Sequence, residues 1–401
     1  MRFKLCAGLA GLIVSCALSG CGKKEEAAPQ ASVSAPATAR PAIAAPEAAA
    51  APATPVPAPT EEKVLNVYNW SDYIAEETIA SFEKQTGIRV RYDVYDSNET
   101  LEGKLLAGNS GYDIVVPSAP FLEKQIKAGV YQPLDKAKLP NLKNMNPDIM
   151  QRLALHDPGN AHAVNYMWGT TGIGYNIDKV KQAMPNAPLD SWHLVFDPAI
   201  VKNFKSCGVS VLDSASEMTA MVLAYLGKDS NSQNPDDLKL VEDTLLKIRP
   251  YIKYIHSSQY IADLASGETC IAVGYSGDIL QARDRAKEAQ TGARIAYSVP
   301  KEGTIIWFDS MAIPKDAPHP GNAHLFLDYM MRPEVIAAVS DATNYANGNA
   351  AATALVKASV RNDPGIYPPA EVKAKLFPNL ANTEEFARLV NRTWTRFSTG
   401  K

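Results

Sequence analysis

Val64-Leu65-Asn66-Val67-Tyr68-Asn69-Trp70-Ser71-Asp72-Tyr73 is a short apolar strand that runs straight into an indole, a carboxylate and a phenol. In open α/β sheets ligands bind in the crevice beyond the carboxyl ends of the strands, so groups placed here are well sited to meet one. An aromatic pair with an acid suits a ligand that has an apolar body and a positive charge. The same stretch also reads as a loop aromatic packed over a helix start, with Asp72 as the N-cap.

The chain that follows keeps to an α/β grammar. Ile74, Ile79 and Phe82 fall near one helical face, and Thr86-Gly87 stops that helix. Ile88 to Val94 then alternates as a strand, Asp96-Ser97-Asn98 caps a second helix carrying Leu101, Leu105 and Leu106, and Tyr112 to Val116 is a short buried strand. This β-α-β-α-β order predicts a parallel sheet with helices on both faces. Gly172 to Asn176, Val209 to Asp213, Cys270 to Tyr275, Ile295 to Val299 and Trp307 to Ile313 read as further strands, several with an acid or aromatic near an end. Residues 63–401 are too many for one typical core, so two lobes are expected.

Ahead of the strand, residues 1–21 have a basic start at Arg2 and Lys4, an apolar run from Leu5 to Leu18, and Leu18-Ser19-Gly20-Cys21. The run is short for a membrane span, and its end resembles a bacterial lipobox in which Cys21 is the lipid acceptor; an ordinary secretory signal is the alternative. Residues 22–62 are rich in Ala and Pro with almost no large apolar side chain, a composition that forms a disordered, semi-extended tether. The two segments together describe a periplasmic protein held at a membrane only through its lipid anchor.

Losing Arg2 and Lys4 with the signal moves the formal charge from −3 to −5, a balance that argues against nucleic acid as a partner. Of the five cysteines, Cys6 and Cys16 leave with the signal and Cys21 is the lipid candidate, so Cys207 and Cys270 remain. In an oxidising compartment they form either one disulfide, closing a loop of about 60 residues for roughly 4 kcal/mol, or two separate buried thiols.

Catalytic motifs do not assemble. Gly274-Tyr275-Ser276-Gly277-Asp278 lacks the final glycine of a nucleophile elbow, and there is no phosphate-binding loop with its Gly-Lys-Ser/Thr ending. The six histidines have no metal-ligand spacing, and no cofactor is expected. The scattered acids leave a carboxylate-pair hydrolase as a remote alternative.

Five motifs carry a resemblance that covers residues 64–401: Trp70-Ser71-Asp72-Tyr73, Tyr112 to Ser118, Trp168 to Asn176, Ser257-Ser258-Gln259-Tyr260 and Pro364 to Pro369. In this order they resemble the polyamine-binding proteins of bacterial ABC importers, of the putrescine/spermidine class. The resemblance implies a two-lobed periplasmic binding protein fold of type II, with two doubly wound α/β sheets joined by a two-crossover hinge. Lobe 1 is then residues 63–168 and 299–345, and lobe 2 residues 169–298 and 346–401. It implies a non-enzymatic, monomeric receptor that captures putrescine or spermidine between closing lobes and hands it to a membrane permease. A lipid-anchored polyamine sensor or surface protein of the same fold is the alternative.

Carried over position by position, the ligand contacts implied are Trp70, Ser71, Asp72, Tyr73, Ser118, Glu217, Tyr275, Asp278, Trp307, Asp309 and Tyr345. Cys207 and Cys270 also fall where putrescine-type relatives have a cysteine pair. Position 275 is Tyr where putrescine binders usually have Trp, and position 307 is Trp where they have Phe, as in spermidine-preferring members. A polyamine offers ammonium donors joined by methylenes, so acids are expected to fix ligand class and aromatics its length. Asp309→Asn is expected to weaken binding at least ten-fold while leaving the thermal midpoint of the ligand-free protein nearly unchanged.

Overall fold

The computed structural model describes residues 61–400, so the signal, Cys21 and most of the 22–62 tether lie outside the described residues. The opening strand forms as read. β1 (Val64–Trp70) buries Leu65, Val67 and Tyr68, and the helix Glu76–Thr86 follows with Phe82 in the core and Gly87 closing it in the left-handed conformation at φ 69°. Its N-cap is Ala75; Asp72 does not cap it and itself sits at φ 53°. β2 (Arg89–Tyr95) and β3 (Ile114–Val115) pair in parallel on either side of β1. Ser97 caps the helix Asn98–Leu106 by accepting the Thr100 N–H at 3.2 Å.

The sheet is mixed, not parallel throughout. The order is β2-β1-β3-β9-β4-β7-β5-β6, with β4 (Ala163–Asn176), β5 (Val209–Val211), β6 (Tyr254–Ile255), β7 (Ile271–Tyr275), β8 (Ile295–Ser298), β9 (Thr304–Ala312), β10 (Ala346–Asn347) and β11 (Leu376–Pro378). β3, β9, β4 and β7 run antiparallel in turn, while β7-β5-β6 are parallel again. β4 is 14 residues long and nearly all buried. Its first half pairs with β9 and its second half with β7 and β8.

Two hydrophobic cores lie along this sheet. One gathers Leu65, Phe82, Ile114, Leu122, Trp168 and Phe326; the other gathers Trp192, Phe204, Val222, Leu245, Tyr260 and Phe397. Cys207 and Cys270 are joined as a disulfide in the second, with Cα atoms 5.5 Å apart. The two expected crossovers are β4 and β9, and the chain makes a third passage at β11, where Leu376 packs on the first core and Phe377 on the second. The stretch from residue 346, expected in lobe 2, packs on the first core through Ala346, Ala352, Val356, Val360 and Ile366. The cause is β10, whose two residues pair with Met167 and Trp168 on the first-core half of β4.

Candidate functional site

A cleft between the two cores, of about 1110 Å3 with its open mouth included, is lined by all eleven residues that the resemblance implied. Most of the residues stand where a strand ends and a helix begins, and the local chain explains each position.

Trp70 closes β1, with its indole N–H donating to the Val116 carbonyl at 2.9 Å and its ring tilted on Tyr95 at 4.7 Å. Ser71 and Asp72 are exposed at the rim, and the Asp72 carboxylate meets Arg285 of the facing helix at 3.3 Å. Tyr73 is buried, and its hydroxyl donates to Asp309 Oδ2 at 2.9 Å. Ser118 stands at the N-cap of the helix Ala119–Lys127 without capping it. Its hydroxyl goes instead to Asp309 Oδ1 at 2.6 Å, while Asn98 holds both its backbone N–H and its oxygen at 3.0 Å.

Asp309 lies on β9 and is 6 % exposed, so burial pushes its carboxyl up from 3.8 to about 7; the two hydroxyls pull it part of the way back. Glu217, in the first turn of the helix Ala215–Tyr225, repeats the arrangement from the other core. It accepts from Thr171 at 3.0 Å and from the Tyr275 hydroxyl at 3.1 Å, and burial raises it to about 7. Asp278, in the first turn of the helix Ser276–Glu288, accepts from Tyr345 at 2.6 Å and Tyr260 at 2.7 Å, and burial raises it to about 6. Each of the three carboxylates is therefore held by a phenol.

The phenols and Trp307 form one run of rings. Tyr275 meets Trp307 edge-on at 5.9 Å, Trp307 meets Tyr345 at 5.3 Å, and Tyr345 meets Tyr73 at 5.2 Å. The geometry is the edge-to-face packing that aromatic quadrupoles favour. Gly277 makes the close seat for Tyr345, since a Cβ there would lie 2.5 Å from the ring. The indole N–H of Trp307 is buried and meets no protein acceptor. Charge and surface in the cleft are thus arranged for a slender cation with apolar parts, and among the described residues no cluster of His, Cys, Asp or Glu is placed to hold a metal ion.

Two residues that grip the acids were missed as site residues, Tyr260 and Thr171. Both stand inside motifs quoted above, and only the fold brings their hydroxyls to Asp278 and Glu217. Asp96, Glu99 and Asp213 also line the cleft; Asp96 takes no part in the helix cap, which is Ser97.

Residues 77–368 match the model of the family described as bacterial extracellular solute-binding protein. The chain is 55 % identical over 343 residues to the putrescine-binding periplasmic protein PotF of Escherichia coli strain K12, covering 85 % of this chain and 93 % of that one. It is 57 % identical over 345 residues to the putrescine-binding periplasmic protein SpuD of Pseudomonas aeruginosa strain UCBPP-PA14, again covering 85 % and 93 %. Among solved structures, the Tp0655 (TpPotD) lipoprotein of Treponema pallidum superposes with a TM-score of 0.71 at 26 % identity, over 84 % of this chain and 99 % of that one.

Proposed function

The chain belongs to the bacterial extracellular solute-binding proteins, and from that premise we propose that its solute is a polyamine, captured between the two lobes and passed to the permease of an ABC importer. The observation that carries the proposal is the trio of buried Asp309 with half-buried Glu217 and Asp278, set around one run of aromatic rings. Three anions brought together in a space poor in water repel one another and are poorly solvated, so an empty closed cleft is unfavourable. A ligand with two or more ammonium groups removes that cost and makes closure favourable, while the rings cover its methylenes. Sugars lack the charge and anions have the wrong sign. The relatives carry the names of binding proteins, and the role is capture without turnover.

In the proposed division, lobe 1 takes residues 63–168 and 306–376, and lobe 2 takes 171–304 and 377–400. All eleven predicted residues are assigned to the binding face, with Asp72 at its rim. The periplasmic names of the relatives support an extracytoplasmic location, and the Treponema relative, a lipoprotein by name, is in keeping with lipidation at Cys21. The receptor is proposed to act as a monomer.

Isothermal titration of the mature protein with putrescine, spermidine and spermine tests the proposal. Micromolar or tighter binding of at least one is expected, and binding of none of them overturns it. Mass spectrometry of the membrane-extracted protein tests the anchor, which Cys21→Ala is expected to remove.

A further inference from the structure

Tyr260 stands outside the set of cleft residues carried over from the family, and it is fully buried at 0 % exposure. It opens the helix Tyr260–Ser266, and its ring lies on Gly274, where a Cβ would come within 2.6 Å of ring carbon Cε2. That fit leaves the ring one orientation. Its hydroxyl donates to Asp278 Oδ2 at 2.7 Å and accepts the backbone N–H of Tyr275 at 3.1 Å. Tyr275 is the N-cap of the helix Ser276–Glu288 and makes no side-chain cap of its own. One phenol thus fixes both the chain entering this helix and the carboxylate in its first turn.

Asp278 has a second phenol, Tyr345, on Oδ1 at 2.6 Å, and the Asp278 backbone N–H donates back to the Tyr345 oxygen at 3.1 Å. The two phenols differ in origin. Tyr345 belongs to the first core, whereas Tyr260 and the strand β7 that delivers Asp278 belong to the second. Tyr345 thus reaches Asp278 from across the cleft, whereas Tyr260 reaches it from within the same lobe. The remaining charged groups facing Asp278 are Asp72 and Asp309, whose like charges repel it, and Arg285, which favours its ionisation.

We infer that Tyr260 is a positioning residue for ligand capture: from within its own lobe it keeps the Asp278 carboxylate aimed into the cleft whichever way the lobes stand. It holds the group that holds the ammonium. The inference rests on the polyamine reading of the cleft, and its test has one arm that needs no ligand.

Tyr260→Phe keeps the ring on Gly274 and removes only the hydroxyl. In the ligand-free protein, the Asp278 carboxyl followed by carbon NMR is expected to titrate about one pH unit higher in the variant, because a bond favouring the charged form is gone. Putrescine affinity at pH 7 is expected to fall about ten-fold, with the loss growing toward pH 6. In an Asp278→Asn background the same replacement is expected to cost less than about two-fold, since Tyr260 acts on the ligand through the Asp278 carboxylate. An unmoved titration, an equal loss in both backgrounds, or a Tyr260→Phe protein that no longer folds overturns the inference. If the unaltered protein bound no polyamine, the proposed function would fail while the titration still decided whether Tyr260 governs Asp278.

Discussion

Asp309→Asn separates what the cleft costs when empty from what it gains when filled. The carboxyl of Asp309 is buried and raised from 3.8 to about 7. A group whose folded value lies above its unfolded one favours the folded state while protonated, and that contribution disappears as the pH rises through the folded value. For Asp309 the window runs from about pH 4 to 7, and the full difference corresponds to about 4 kcal/mol at the upper bound. Asparagine cannot ionise, and its oxygen still accepts from Ser118, while its amide donates to the Tyr73 oxygen in place of the bond it loses. At pH 8 the ligand-free variant is therefore expected to be more stable than the parent, by about 1–3 kcal/mol after imperfect bonding is allowed for, or a few degrees in midpoint. This corrects the expectation of an unchanged midpoint, which took no account of burial. Affinity moves the other way: removing one partner of a buried charged pair costs about 2–5 kcal/mol, so putrescine binding is expected to weaken at least about thirty-fold. Differential scanning calorimetry at pH 5 and pH 8, with titration calorimetry at pH 8, checks both halves. A ligand-free midpoint that falls equally at both pH values, or an affinity within three-fold of the parent, refutes the reasoning.

Polyamine affinity as a whole is expected to fall as the pH drops from 8 to 5, because Asp309 and Glu217 near 7 and Asp278 near 6 must give up protons before they can face ammonium groups; titration calorimetry in buffers of different ionisation enthalpy should show proton release at pH 6 and almost none at pH 8, and a flat profile would contradict it. Gly277→Ala places a methyl 2.5 Å from the Tyr345 ring and is expected to cut affinity about ten-fold by moving Tyr345 off Asp278, while the far-ultraviolet dichroism stays unchanged. Cys207→Ser opens a bridge spanning 63 residues and is expected to lower stability by about 4 kcal/mol in denaturant unfolding. The same change should leave affinity alone, because Cys270 lies at the far end of β7 from Tyr275, about 16 Å along the strand; a joint loss of both would place the bridge in the site.

What the sequence made legible is what local periodicity controls. β1, its helix and β2 came out nearly as read because alternation and a Gly stop operate within a dozen residues. The first half of β4 did not, because Val164, Tyr166, Met167 and Trp168 are all buried and leave no alternation to read. Nor did the antiparallel insertion of β9 and β4, since the pairing Trp168 with Phe308 joins strands from distant parts of the chain. The 346–366 stretch shows no period at all, and two residues of β10 decide which core it joins. For the cleft, motif order found every acid that the proposal uses. It did not show the burial that raises their titration, nor the hydroxyls of Tyr260 and Thr171 that restrain them.

Those hydroxyls bear on which solute the cleft selects. A carboxylate with two hydroxyl donors is hydrogen-bonded but not neutralised, so the empty site is tolerable without being satisfied. A ligand that only offers further neutral donors meets the spare lone pairs without cancelling the charge and gains little. An ammonium adds the charge that Tyr73, Ser118, Thr171, Tyr275, Tyr260 and Tyr345 cannot supply, and it needs no vacancy in the first ring of bonds, since each carboxylate has about four acceptor directions. Selection for a polycation then follows from partial satisfaction: the phenols hold the acids in place, lower the penalty of keeping them charged, and leave the charge itself for the ligand to cancel. A monoamine of equal length cancels one of three and should bind far more weakly than a diamine, by roughly the ten-fold or more that one charged bond is worth. Titration with butylamine against putrescine measures that difference, and equal affinities would show that the rings, not the acids, select the solute.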